Sequence, residues 1–156
     1  DVLPALQEAF EQIAMAKVGT SAWEAKGMGY LYPDDMIVMN SDHRLARAKQ
    51  RALQLAAAGA RPPEVEKVYA AGRDALYALK LGVRGLLWGG FASEHDAKIA
   101  GKLATVLTGG DISAPAWVDP WYILDLEREA FLSLLGEEKT RERMMHMLQT
   151  GKPLRN

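Results

Sequence analysis

The chain has 156 residues, a formal net charge of -1 and no cysteine, with 25% charged and 49% hydrophobic residues. This composition is ordinary for one globular domain with a substantial core. The lack of cysteine excludes disulfides and thiolate metal sites. No apolar run approaches the roughly 20 residues that a membrane helix needs, and no secretory signal pattern opens the chain. We therefore expect a cytoplasmic protein without a membrane span.

The charges are unevenly distributed along the chain. Nine lysines and arginines accompany three acids between residues 43 and 84, whereas eight acids accompany three bases between residues 111 and 142. A basic half can attract phosphate, and the two halves can equally pair across helix surfaces, which is the more common arrangement. The pI of about 6.4 and the lack of a helix-turn-helix signature argue against a nucleic-acid partner.

The first part of the chain predicts two helices and one strand. Pro4 suits a first helical position, and apolar residues follow it at helical spacing as far as Ala14. Ser21 with Glu24 three residues later predicts a capping box at the start of a short second helix. The run MIVM at 36–39 is the only good strand candidate, and it is too short to make a sheet alone.

A basic helix is predicted next, within NSDHRLARAKQRALQLAAAG at residues 40–59, where Gly59 ends it and two prolines follow. A longer helical stretch then covers residues 69–90. The predicted apolar face of the basic helix is Leu45, Ala48, Ala52 and Leu55 or Ala56. The predicted core side of the longer helix is Leu76, Leu79, Val83, Leu86 and Leu87.

Helix start and stop signals continue to the end of the chain. Ser93 with Asp96 predicts the start of a fifth helix, and Asp119 followed by proline predicts the start of a sixth. A last amphipathic helix is predicted to end at Gly151, with Met144, Met147 and Leu148 facing a core. Residues 108–118 form the longest stretch without a helical pattern. We predict an all-α, multi-helix bundle with at most one short strand, formed as a single domain over residues 1–156.

No catalytic constellation is visible in the sequence. The three histidines show no helical metal-site spacing, and no serine lies in a nucleophile elbow. The residues Glu94, His95 and Asp96 are interpreted as capping and solvated groups in the first turn of a helix. Trp88 and Phe91 flank a glycine pair and suit either the core or the border of a flat ligand such as a purine. We therefore predict no catalytic residue and no metal site in this chain.

Two stretches resemble parts of the crotonase family. AKVGTSAWEAKGMGYLYPDDMIVMN at 16–40 is similar to the segment that follows the catalytic region in that family. LEREAFLSLLGEEKTRERMMHMLQTGKP at 126–153 resembles its C-terminal pair of helices. The matching positions of the first stretch are Ser21, Ala22, Glu24, Ala25 and Gly29, and those of the second are Glu127, Phe131, Lys152 and Pro153.

Four further stretches carry a more specific resemblance, namely MNSDHRLARAKQ, SEHDAKIAGKLATVLTGGD, LDLEREAFLSLLGE and HMLQTGKPLRN. They are similar to the C-terminal end of bacterial two-function fatty-acid oxidation proteins, which join a 3-hydroxyacyl-CoA dehydrogenase to an enoyl-CoA hydratase. The resemblance covers nearly the whole chain. It implies that residues 1–60 end a crotonase-like core, that 61–118 are an additional helical segment, and that 119–156 are the C-terminal helix pair.

The resemblance also implies the chemistry of a parent enzyme. Such a protein is a lyase and an oxidoreductase of lipid metabolism: it hydrates 2-enoyl-CoA and oxidises the resulting hydroxyl group with NAD. The catalytic elements are expected upstream of Asp1, so the isolated chain is expected to be inactive and to bind no cofactor itself. Its expected partners are the remainder of the parent enzyme, further copies in a homo-oligomer, and an acyl-CoA substrate.

One binding role is implied within this chain. The C-terminal helix of crotonases borders the nucleotide end of CoA with an aromatic and a basic residue. Here Met147 stands at the aromatic position, Thr150 at the basic one, and the cation follows as Lys152. Lys152 and Met147 are therefore the candidate CoA-binding residues, and electrostatics at the helix end is the other interpretation of Lys152. The alternative function is a free-standing helical interaction or anion-binding module that uses the basic middle of the chain.

Overall fold

The computed structural model describes all residues from 1 to 156. It contains seven α-helices and one two-stranded antiparallel sheet, so the prediction of a mainly helical protein is confirmed. A single 3-10 turn, Ser41–His43, precedes the third helix. The helices are α1 Leu3–Ala14, α2 Ala22–Gly27, α3 Arg44–Ala57, α4 Gly72–Trp88, α5 Glu94–Leu107, α6 Pro120–Leu135 and α7 Glu138–Thr150. The strands are β1 Val68–Ala70 and β2 Ala116–Val118.

The strand prediction is wrong in place and in number. Residues 36–39 form no strand, and two strands occur instead of at most one. The register pairs Tyr69 with Trp117, whose rings meet edge to face with centroids 5.3 Å apart. Strands of three residues are too short to show a period of two in the sequence. Their pairing joins segments far apart in the chain, so local pattern did not reveal it.

The chain divides into two compact units. One consists of Asp1–Ala16 together with Val65–Asn156, and the other is Lys17–Glu64. The single domain over residues 1–156, with segments 1–60, 61–118 and 119–156, is not tested by this division and stays a prediction. Each unit is described separately below.

The core of the larger unit lies between α4 and α5. Leu76 and Leu79 are 1% and 3% exposed, and they pack with Ala104 of α5, which is fully buried. Leu6 and Phe10 of α1 cover this cluster from the side. The predicted core side of α4 is thus confirmed at its first positions. It is wrong at Leu86, which is 47% exposed because the apolar stripe of α4 continues beyond the part that other helices cover.

The end of α5 is held closely against the small sheet. Gly109 has φ +77° and lies so near Ala70 that a Cβ on this glycine would meet the Ala70 Cβ at 2.3 Å. The Gly109 carbonyl accepts a hydrogen bond from the Tyr122 hydroxyl at 3.0 Å. The Thr108 carbonyl accepts one from the N–H of Gly72 at 2.9 Å. This close approach therefore joins the sheet, α5 and the start of α4.

The smaller unit is held by local polar contacts. Ser21 caps α2 as predicted, but the Glu24 carboxylate accepts from the backbone N–H and hydroxyl of Thr20, both at 2.6 Å, so the reciprocal bond to Ser21 is missing. No residue of this unit is buried. The apolar face of α3 is uncovered, with Leu45 81% and Leu55 41% exposed.

We expect Gly109→Ala to destabilise the larger unit. A left-handed backbone costs an alanine about 1 to 2 kcal/mol, and overpacking against Ala70 adds roughly 1 to 3 kcal/mol. Gly82→Ala is the matched control, because an added Cβ there meets nothing within 4 Å and should stabilise α4 by up to about 1 kcal/mol. Urea unfolding followed by far-UV circular dichroism measures both. Equal stability of the two variants would contradict the close contact.

Candidate functional site

The start of α5 carries a complete capping box. The Ser93 hydroxyl accepts from the Asp96 N–H at 3.1 Å, and the Asp96 carboxylate accepts from the Ser93 N–H at 3.0 Å. This confirms the cap predicted from the sequence. The acids of the first turn also match the positive end of the helix dipole. The capping box forms one wall of a polar cluster between α5 and α7.

Arg143 of α7 connects the capping box to the last residue of the sequence. Its Nη1 donates to Asp96 Oδ1 at 2.6 Å, and its Nε donates to Asn156 Oδ1 at 2.8 Å. The Asn156 amide donates in turn to Glu142 Oε2 at 2.7 Å. The residues after α7 are therefore tied back onto that helix. We call Ser93, Asp96, Arg143 and Asn156 the Arg143 clamp.

His95 lies beside this clamp and is only 4% exposed, so the interpretation of it as a solvated residue is wrong. Its Nε2 is 2.9 Å from the hydroxyl of Thr140, which is also buried. Burial lowers the pKa of His95 below its usual value, and the positive charge of Arg143 lowers it further. A neutral imidazole with one hydrogen-bond partner thus joins α5 to α7.

The Arg143 clamp also sets the ionisation of Asp96. Burial of this carboxyl works against its charged form. The hydrogen bonds from the Ser93 N–H and from Arg143 outweigh that effect, so the pKa of Asp96 lies below its usual value. Asp96 is therefore a charged structural acceptor that is occupied by the guanidinium group and by its own helix cap. This arrangement stabilises the fold and leaves no free group for acid–base chemistry.

The two candidate CoA-binding residues lie at the exposed end of α7. Met147 is 45% exposed and Lys152 is also exposed. Gly151 ends the helix as predicted, with φ +67° and its N–H donating to the Met147 carbonyl at 2.8 Å. The Lys152 N–H donates to the Thr150 hydroxyl at 3.1 Å. The structure brings Met147 and Lys152 to one helix end, and their role in binding CoA stays a prediction.

The apolar face of α7 is uncovered. Met144, Met147 and Leu148 are 40%, 45% and 79% exposed, so the prediction that they face a core is wrong within this chain. These apolar residues do lie on one side of α7, but no other helix or strand covers that side. Large exposed apolar patches occur at sites that contact other proteins, membranes or ligands.

Sequence reasoning missed a cleft of about 500 Å³ between α4 and α5. Tyr77, Lys80 and Arg84 line one wall from successive turns of α4, and Lys98 lines the other. The sequence does contain a sign of this wall, because a tyrosine, a lysine and an arginine spaced three and four residues apart fall on one side of a helix. A more apolar groove of about 450 Å³ lies between α5 and α6 and includes Leu103 and Phe131. Met147 and Lys152 line neither space.

Neither a metal cluster nor a membrane span is present. No group of three histidine, cysteine, aspartate or glutamate side chains is arranged to hold a metal ion. None of the helices combines the length and the apolar character needed to cross a bilayer.

Comparison with known proteins gives one informative relative. The chain is 51% identical over 156 residues to a probable 3-hydroxyacyl-CoA dehydrogenase of Bacillus subtilis (strain 168). The match covers all of this chain and 20% of the relative, so the chain spans about one fifth of that protein's length. No protein-family model matches the chain. No solved structure matches it.

We expect Arg143→Ala to lower the free energy of unfolding by roughly 1 to 3 kcal/mol, because charged hydrogen bonds to partly buried partners are lost. Arg128→Ala is the matched control. Arg128 also bonds an aspartate at 2.7 Å, but both side chains of that pair are more than 60% exposed, so its loss should cost less than about 1 kcal/mol. Urea unfolding measures both variants. An Arg143 variant as stable as the Arg128 variant would show that the clamp contributes no more than an exposed ion pair.

Acid should weaken the larger unit through His95. Its pKa in the folded chain is lowered from an ordinary value of 6.5, so the unfolded state binds the proton first. The stabilisation is complete above about pH 6.5 and falls as the pH drops towards the folded pKa. His95→Gln keeps a donor for Thr140 and removes the titration. Unfolding midpoints compared between pH 7 and pH 5 should decline more for the wild type than for this variant, and parallel declines would contradict the assignment.

Proposed function

We propose that this chain is a helical segment of a larger fatty-acid β-oxidation enzyme that couples hydration of 2-enoyl-CoA to NAD-dependent oxidation of 3-hydroxyacyl-CoA. The observation that carries the proposal is the 51% identity, over the full length of the chain, to a probable 3-hydroxyacyl-CoA dehydrogenase. Such identity over the whole chain favours a shared fold and a shared place in the longer protein. The hydratase half of the proposal rests on the crotonase resemblance.

The exposed apolar faces support the same proposal. The Leu45 face of α3 and the Met147–Leu148 face of α7 are uncovered, although amphipathic helices in globular proteins normally cover such faces. About four fifths of the relative lie outside the match. We propose that the remainder of the parent enzyme covers one of these faces and that a second copy covers the other, in a cytoplasmic homo-oligomer.

The chemistry belongs to the remainder of the parent enzyme. A dinucleotide site needs a glycine-rich turn that joins a parallel strand to a helix. Here the pairs Gly89–Gly90 and Gly109–Gly110 follow the ends of α4 and α5, and the only sheet is antiparallel. This chain therefore lacks the glycine-rich strand-to-helix turn of an NAD-binding domain. Its proposed contribution is structural, together with the edge of the CoA site at Lys152 and Met147, where the exposed ammonium group suits a phosphate.

A chimera of the Bacillus subtilis relative tests the proposal. We expect that replacing its matching fifth with this chain keeps NAD reduction by a 3-hydroxyacyl-CoA and hydration of crotonyl-CoA within about tenfold of the parent rates. The isolated chain should catalyse neither reaction. Both activities are read by absorbance, and size-exclusion chromatography reports assembly.

The controls test whether the relative needs this folded segment or works equally well with any sequence in its place. A relative whose matching fifth is replaced by a flexible glycine–serine linker should lose folding or activity. If the linker version works as well as the chimera, the segment has no role in the enzyme. If the isolated chain turns over either substrate, its proposed place as a supporting segment is wrong.

A second candidate is a free-standing anion-binding module. The observation in its favour is α3, whose four cations Arg44, Arg47, Lys49 and Arg51 are all exposed and have no acid among them in the helix. A salt-dependent affinity of the isolated chain for an acidic protein, together with a chimera that fails to assemble, would favour this function.

A further inference from the structure

The cleft between α4 and α5 has the volume of a small-molecule site. Its volume of about 500 Å³ lies within the range of roughly 300 to 1,000 Å³ for small-molecule sites. Ala97 and Gly101 of α5 line the wall that faces the cations of α4. Because both residues are small, the space between the helices stays open to a ligand.

The cations on the α4 wall have no acidic partners. Lys80 and Arg84 are four residues apart, so they project from the same side of the helix on successive turns. Neither forms an ion pair, whereas Lys98 on the opposite wall is bonded to Glu137 at 3.0 Å. Glu94 is the only acid of the lining. The lining therefore keeps a positive balance, because Lys80 and Arg84 face a single carboxylate, and this balance suits an anion.

Aromatic rings accompany both cations. The Lys80 ammonium lies 5.5 Å from the centre of the Tyr77 ring, and the Arg84 guanidinium lies 5.8 Å from the centre of the Trp88 ring. Trp88 does not line the cleft itself; it follows Arg84 by four residues, on the same side of α4, and is 76% exposed. Its accessible indole offers a flat stacking surface beside the guanidinium group, as in sites that bind nucleic-acid bases. The cations and the ring together match a phosphate group joined to a planar base.

We propose that the α4–α5 cleft binds a nucleotide, with Lys80 and Arg84 on its phosphate oxygens and Trp88 stacked on its base. Arginine suits phosphate through its planar donors, and lysine suits it as a point charge. The inference uses only the geometry of this cleft and does not rest on the proposed enzyme. It concerns a different place from Met147 and Lys152, which do not line the cleft. Free nucleotides and the nucleotide end of CoA share the required chemistry.

Isothermal titration of the full chain with ADP tests the cleft. We expect saturable binding that weakens as salt is raised, and a loss of about tenfold or more in affinity for K80Q/R84Q. The matched control is R61Q/K67Q, which removes two exposed cations from the segment before β1 and should leave the affinity within about twofold. Trp88→Ala should weaken ADP binding and leave the weaker binding of inorganic pyrophosphate unchanged. Circular dichroism verifies that each variant is folded.

Titration with coenzyme A in place of ADP distinguishes free nucleotides from the nucleotide end of CoA as the ligand. Tighter binding of coenzyme A assigns the cleft to the nucleotide end of CoA, and equal binding assigns it to free nucleotides; either result supports the proposal. The absence of saturable ADP binding overturns it. So does an equal loss of affinity in K80Q/R84Q and R61Q/K67Q, because the binding would then follow overall charge. The chimera can succeed while this titration fails, so the two proposals fall separately.

Discussion

The packing of α4 against α5 is the contact on which the larger unit depends. Two leucines of α4 meet an alanine of α5 that has no exposed surface, so the helices approach closely at this point. Burial of each leucine side chain contributes about 1.5 to 3 kcal/mol. The helix α1 completes the cluster, and α6 packs on α5. The same pair of helices leaves the cationic cleft beside the core.

Polar contacts then fix the two ends of α5. At its start, the capping box is extended by Arg143, which draws α7 against α5. At its end, Gly109 allows Ala70 of the sheet to come into direct contact, and Tyr122 of α6 bonds the same glycine. A central helix held at both ends by different elements explains why a small core suffices for the larger unit. The smaller unit has no such core, and its α3 remains an amphipathic helix without a covering element.

Several features of the fold and of the candidate site were predictable because their causes are local. The caps at Ser21, Ser93 and Asp119 were found where the sequence placed them, since a cap joins residues two or three positions apart. Gly151 ends the last helix because it adopts a positive φ that other residues avoid. The lysine and arginine of the cleft lie on one side of α4 for an equally local reason. Their opposite wall was not predictable, because it belongs to another helix.

The helical class, the helix caps and the amphipathic faces can be derived from the sequence, because all of them follow from residues within a few turns of each other. Which of these faces are covered depends on the tertiary packing. It buried His95 against Thr140, tied Arg143 to Asp96 across 47 positions and paired strands that pattern had missed. It also left the faces of Leu45 and Leu148 exposed. Burial depends on which distant segments pack together. The amphipathic spacing of a helix shows which of its sides is apolar, but it does not show which other segment covers that side.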